Sequence, residues 1–155
     1  MINDLVVVTT LITDIDFDCS IEELVRRGRF RHIAHNFFSG PFPATPPPHR
    51  TPVDLHVMRF SPRLDARLAT SSVAEALTQK GYRPADLREL LTLAAAATCP
   101  RCSFNIVGLG TEWVNDQGIR HVAGLSSANA RMLRLLHIQF EPFWYWKTMF
   151  VGVPL

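Results

Sequence analysis

The chain has 155 residues, 47% hydrophobic and 19% charged, which suits one domain that buries its own core and excludes disorder, collagen and a disulfide framework as whole-chain descriptions. Sixteen basic against fourteen acidic residues leave a net charge of +2, too little for bulk attraction to nucleic acid or an anionic membrane, so any basic site has to be local. Three cysteines, an odd number, point to a reducing compartment rather than a secreted scaffold. The N-terminal Met1-Ile-Asn-Asp-Leu-Val has neither the basic region nor the long apolar stretch of a secretory signal, and no apolar run reaches the roughly 18 residues that span a bilayer. A cytoplasmic protein with no membrane partner is expected.

A first strand is predicted from Leu5 to Phe17, alternating in its second half, with Leu11, Thr13, Ile15 and Phe17 on one face. Ser20-Ile-Glu-Glu23 is a capping box for a short helix that Gly28 should stop. Between Ser39 and Pro52 stand six prolines and one glycine, a loop that can continue neither a helix nor a central strand. Val53, Leu55 and Val57 alternate with Asp54, His56 and Met58, the pattern of an antiparallel strand with one wet face. A second capping box, Ser72-Val-Ala-Glu75, should open a helix closed by Gly81. A third helix, predicted to start at Pro84, carries Leu87, Leu90, Leu91 and Ala94 on one stripe and ends before Cys99-Pro100. Strands follow at 105–109, 119–125, 132–140 and 148–153, with a turn at 115–118. One domain over 1–155 results, with a proline-rich loop at about 39–52. The order of elements implies an α+β fold, a mainly antiparallel sheet with about three short helices packed on it.

Three segments carry a family resemblance: Val53-Asp-Leu-His-Val57, Gly81-Tyr-Arg-Pro-Ala-Asp-Leu-Arg-Glu-Leu-Leu91, and Ile106-Val-Gly-Leu-Gly-Thr-Glu-Trp113 followed by Gly118-Ile-Arg-His-Val122. With these the chain is similar to a family of small uncharacterised bacterial proteins common in candidate-phyla genomes. The resemblance implies a binding scaffold whose C-terminal half is C-type-lectin-like, and it carries over no catalytic residue. The chain departs from the family at its end, Met149-Phe-Val-Gly-Val-Pro-Leu155.

Four groups of residues offer chemistry. Asp14, Asp16 and Asp18, at a period of two, would share one strand face and attract a divalent cation or arginines, although Cys19 and Val25 stand where an EF-hand needs Gly and Glu. Cys99-Pro-Arg-Cys102 has knuckle spacing, and His32 and His35 could complete a tetrahedral zinc site; inert loop cysteines and a redox-labile pair are the alternatives. Arg26, Arg27, Arg29 and Arg31, beside Phe30 and His32, suit phosphates or a nucleic acid, or else simply offset a helix macrodipole. Phe143, Trp144, Tyr145, Trp146 and Lys147 form an aromatic segment in which alternate members should be buried and the others free to anchor a partner. Phosphate-loop, dinucleotide and zincin patterns are absent, and Gly124-Leu-Ser-Ser-Ala lacks the last glycine of a nucleophile elbow.

The sequence thus favours a non-enzymatic binding module that engages a protein or small ligand through its C-terminal loops, with no catalytic residue and no cofactor. The alternative is a small metal-dependent enzyme or nucleic-acid-binding protein that uses the aspartate face, the His/Cys set or the arginine run.

Overall fold

The computed structural model describes residues 5–35, 37–38, 52–61, 67–96, 99, 105–114, 117–126, 131–138, 143–145 and 147–155. In chain order the elements are β1 (Leu5–Thr13), α1 (Ile21–Arg27), β2 (His32–Ile33), β3 (Val53–Phe60), β4 (Arg67–Ala69), α2 (Thr70–Gln79) and β5 (Tyr82–Pro84). Then come α3 (Leu87–Ala95), β6 (Ile106–Val114), β7 (Arg120–Ser126), β8 (Met132–His137), β9 (Phe143–Tyr145) and β10 (Met149–Pro154). Eight strands form one sheet in the order β1-β3-β10-β6-β7-β8-β2, with β5 paired to β10, while β4 and β9 make a separate two-stranded pair. Among the described residues the β10–β6 and β2–β8 pairs are parallel and the other strand pairs antiparallel. The fold is the expected α+β arrangement of a mainly antiparallel sheet with three helices among the described residues.

Strand alternation splits the core in two. Val53, Leu55 and Val57 of β3, Ile106, Leu125, Leu133 and Val151 face α1 and α3. Met58, Phe60, Val107, Val122, Phe150 and Trp144 gather on the other face with Val73, Ala76 and Leu77 of α2. The expected wet face of β3 is therefore corrected at Met58, which is buried because α2 and β9 cover that half of the sheet.

The path of β10 depends on glycine. Its first two residues pair with β6 and its last three with β5, so β5 wedges between the two strands. Gly110 on β6 donates its N–H to the Ala85 carbonyl at 2.8 Å. A Cβ at Gly110 would lie 2.6 Å from that oxygen and 2.7 Å from the Pro84 carbonyl, so no larger residue allows the approach.

Three predicted boundaries are corrected. β1 ends at Thr13, because the Asp16 carboxylate accepts from the N–H groups of Asp18 and Cys19 at 3.1 Å each and turns the chain off the sheet. Pairing of β4 with β9 runs up to Ala69, and α2 starts at once at Thr70 with no side-chain cap, so Ser72 lies inside the helix. Pro84 belongs to β5, and α3 opens two residues later with Asp86 as N-cap in a capping box with Glu89. The Ser20 cap is formed, its Oγ accepting from the Glu23 N–H at 3.1 Å. The proline-rich segment 39–51, Asn115 and Asp116, and Phe140 lie outside the described residues.

Candidate functional site

The three aspartates do not share a strand face. Asp14, Asp16 and Asp18 are exposed in the turn after β1, and Asp16 is held by the local N–H bonds and by Arg27 at 3.3 Å. Arg88 of α3 donates to the main-chain carbonyls of Asp16 and Cys19, which fixes the turn against the helix. His32 and His35 are exposed and Cys99 is half-buried against the core, while Cys102 lies outside the described residues. Among the described residues no three His, Cys, Asp or Glu side chains gather as metal ligands.

In the aromatic segment Trp144 is only 7% exposed, packed edge-on against Phe150 at 5.8 Å, with its indole N–H donating to Thr70 Oγ at 2.9 Å. It belongs to the second core cluster, on a strand whose antiparallel pairing sets Trp144 opposite Leu68 of β4. Lys147 is exposed. Trp146 and the side chains of Phe143 and Tyr145 lie outside the described residues.

The arginine run is gathered by topology. Arg26 pairs with Glu23, and Arg27 with Glu23 and Asp16, at the last turn of α1, where cations also offset the macrodipole. Gly28 ends the helix in a right-handed conformation, and its lack of a side chain serves space: a Cβ would lie 2.3 Å from the Phe30 ring. The left-handed position falls on Arg29, at φ 51°, which costs about 1–2 kcal/mol for a residue with a Cβ. The chain then enters β2, where the Arg31 and His32 N–H groups donate to the Arg131 carbonyl at 2.8 and 3.3 Å. Arg131 lies 5.9 Å from the Phe30 ring centroid and donates to the Ala94 carbonyl at the end of α3. Arg29, Arg31, His32 and Arg131 thus stand along the β2–β8 edge of the sheet, while the exposed Arg134 lies on the other face of β8 and donates to Asn105 Oδ1 at 3.5 Å. Among the described residues neither Arg29 nor Arg31 pairs with a carboxylate.

Three polar groups escaped the sequence reading. Asp54 and His56 on β3 and Tyr82 on β5 form a chain, Asp54 Oδ2 to His56 Nε2 at 2.9 Å and His56 Nδ1 to the Tyr82 hydroxyl at 2.9 Å. His121 of β7 and His137 of β8 stand opposite each other with ring centroids 4.5 Å apart. Burial, and then the neighbouring imidazole, holds His121 below its ordinary value, with the Ile119 backbone acting against both.

The third group is Glu89, 2% exposed, whose carboxylate accepts both Arg83 Nη atoms at 2.7 and 2.9 Å and the Asp86 N–H at 3.0 Å. The Asp86 carboxyl is pushed up to about 6, first by burial and then by repulsion from Glu89, with the Glu89 N–H and Arg83 pulling the other way. A carboxyl that holds its proton more tightly folded than unfolded costs stability at neutral pH, and that cost disappears as pH falls through 6 towards the ordinary 3.8. Asp86→Asn keeps a capping oxygen without the charge. Its stability relative to wild type should be greatest at neutral pH and should decline on acidification, measured by urea melts across pH. A difference independent of pH would contradict the assignment.

No family model, no curated protein and no solved structure matches the chain. Among the described residues no helix is long and apolar enough to cross a membrane.

Proposed function

We propose that the protein is a binding module that holds the phosphate backbone of a nucleic acid along its β2–β8 edge. The observation that carries this is Arg29, an exposed cation kept in a left-handed conformation that glycine would occupy at less cost, with no carboxylate partner among the described residues. Arg31 leads into the exposed edge strand that His32 opens, and Arg131, just before β8, adds charge beside it. Guanidinium forks suit phosphate oxygens, and the small net charge makes this patch the local exception that a nucleic acid would select. A binding scaffold is also what the family resemblance implies. The C-terminal segment supports a partner site less well, since Trp144 packs inside.

The test separates conformation from charge. Arg29→Gly should leave stability unchanged or raise it by about 1 kcal/mol, because the left-handed strain is relieved. In fluorescence anisotropy with a labelled single-stranded oligonucleotide, wild type should bind with log K falling linearly with log salt. The pair Arg29→Gly and Arg31→Ala should flatten that slope by roughly 0.7 for each phosphate that is no longer neutralised. Absence of binding at low salt, or an unaltered slope in the double variant, would reject the proposal.

A further inference from the structure

Asp54 and His56 are two residues apart on β3 and so project from the same face of the strand. The third member of their chain, Tyr82, reaches them across β10, where Gly152 stands opposite His56. A Cβ on Gly152 would lie 2.4 Å from Met58 Cε and 3.2 Å from Tyr82 Cβ, so the phenol ring rests on bare backbone. Pairing of Tyr82 with Pro154, and of the Leu155 N–H with the Gly81 carbonyl at 2.9 Å, fixes β5 in that position.

The hydrogen bonds set the proton positions. An ionised Asp54 only accepts, so His56 carries its hydrogen on Nε2 and presents a lone pair at Nδ1 to the Tyr82 hydroxyl. The order is hydroxyl, base, orienting carboxylate, the arrangement that activates a weak nucleophile. The imidazole is shielded, at 17% side-chain exposure, while Tyr82 is only half-buried.

We infer that Tyr82 is an acyl acceptor, a nucleophilic phenol that the His56–Asp54 pair activates toward an uncharged, activated carboxylic ester. The phenol oxygen attacks the ester carbonyl carbon, and its proton moves to His56 Nδ1, where Asp54 stabilises the imidazolium. The carbonyl reforms, the bond to the leaving oxygen breaks, and that oxygen takes the proton back from Nδ1. The products are an ester on Tyr82 and a free alcohol, with no oxidation or reduction. The surroundings choose the donor. Thr10 and Ile12 of β1 stand opposite His56 and Asp54 on the same face, and Met58 lies alongside. Among the described residues no guanidinium or ammonium bonds to the three, so a phosphoryl donor would meet no countercharge there.

The chain has two tyrosines, so Tyr145 serves as an internal reference. Folded protein would be incubated with p-nitrophenyl acetate, and the acetyl group located by peptide mass mapping. Acetylation should fall on Tyr82, and Tyr82→Phe, which keeps the ring over Gly152, should abolish the initial release of p-nitrophenol. His56→Gln should slow modification of Tyr82 by about 10²-fold, the usual contribution of a positioned general base. Asp54→Asn, at a partly exposed side chain, should slow it too and supplies a second variant if His56→Gln melts early. Acetyl groups confined to Tyr145, Lys80 or Lys147 would overturn the inference. So would a Tyr82 rate unchanged in both Asp54→Asn and whichever variants fold.

Discussion

Trp144→Ala is expected to cost about 3–5 kcal/mol in chemical denaturation, the range for emptying a buried aromatic site. The indole fills the space between Phe150, Phe60 and α2, and its N–H bond to Thr70 ties β9 to the first turn of that helix. Trp144→Phe should retain most of the packing and lose the hydrogen bond, a change of about 1 kcal/mol. A tryptophan that anchored a partner would behave oppositely, leaving the melting curve nearly intact and weakening capture. A loss below about half a kcal/mol, the level of ordinary surface substitutions, would remove Trp144 from the core.

Leu90→Ala should cost about 2–5 kcal/mol with an unchanged denaturant slope. Leu90 is fully buried on α3 and sits on Gly108 of β6, where an added Cβ would come within 3.3 Å of its own Cβ. Helix and sheet backbones are therefore close, and the surroundings can collapse little into the cavity. A near-neutral result would place that helix face on the surface and break the link between α3 and β6.

Features that depend on neighbours in the sequence were legible in it. The Ser20 cap, the Leu87, Leu90, Leu91 and Ala94 stripe, the inward Val53, Leu55 and Val57, and the places of β7 and β10 follow from spacing alone, whereas β6 runs on to Val114, β8 stops at His137 and β9 left no signal of its own. What escaped depends on distant pairing. Asp86-Leu-Arg-Glu89 is itself a capping pattern, but Pro84 three residues after Gly81 reads just as well as a helix start until β10 claims it for β5. The alternation of Trp144 within its aromatic run could be anticipated, yet which face it took was decided by β4, far upstream. Arg131 joins the arginine run only because β2 lies parallel to β8, a pairing that no local pattern announces. The Asp54–His56–Tyr82 chain left one signal, Gly152 inside a strand, which marks a close approach.

Amide chemical-shift mapping of the folded chain, titrated with a single-stranded oligonucleotide at low salt, would locate the partner surface. Shifts should concentrate at residues 26–33 and 131–134, the two sides of the β2–β8 edge, and should reverse as salt is added. Shifts centred instead on 143–147, or scattered without a focus, would contradict a nucleic-acid site at that edge.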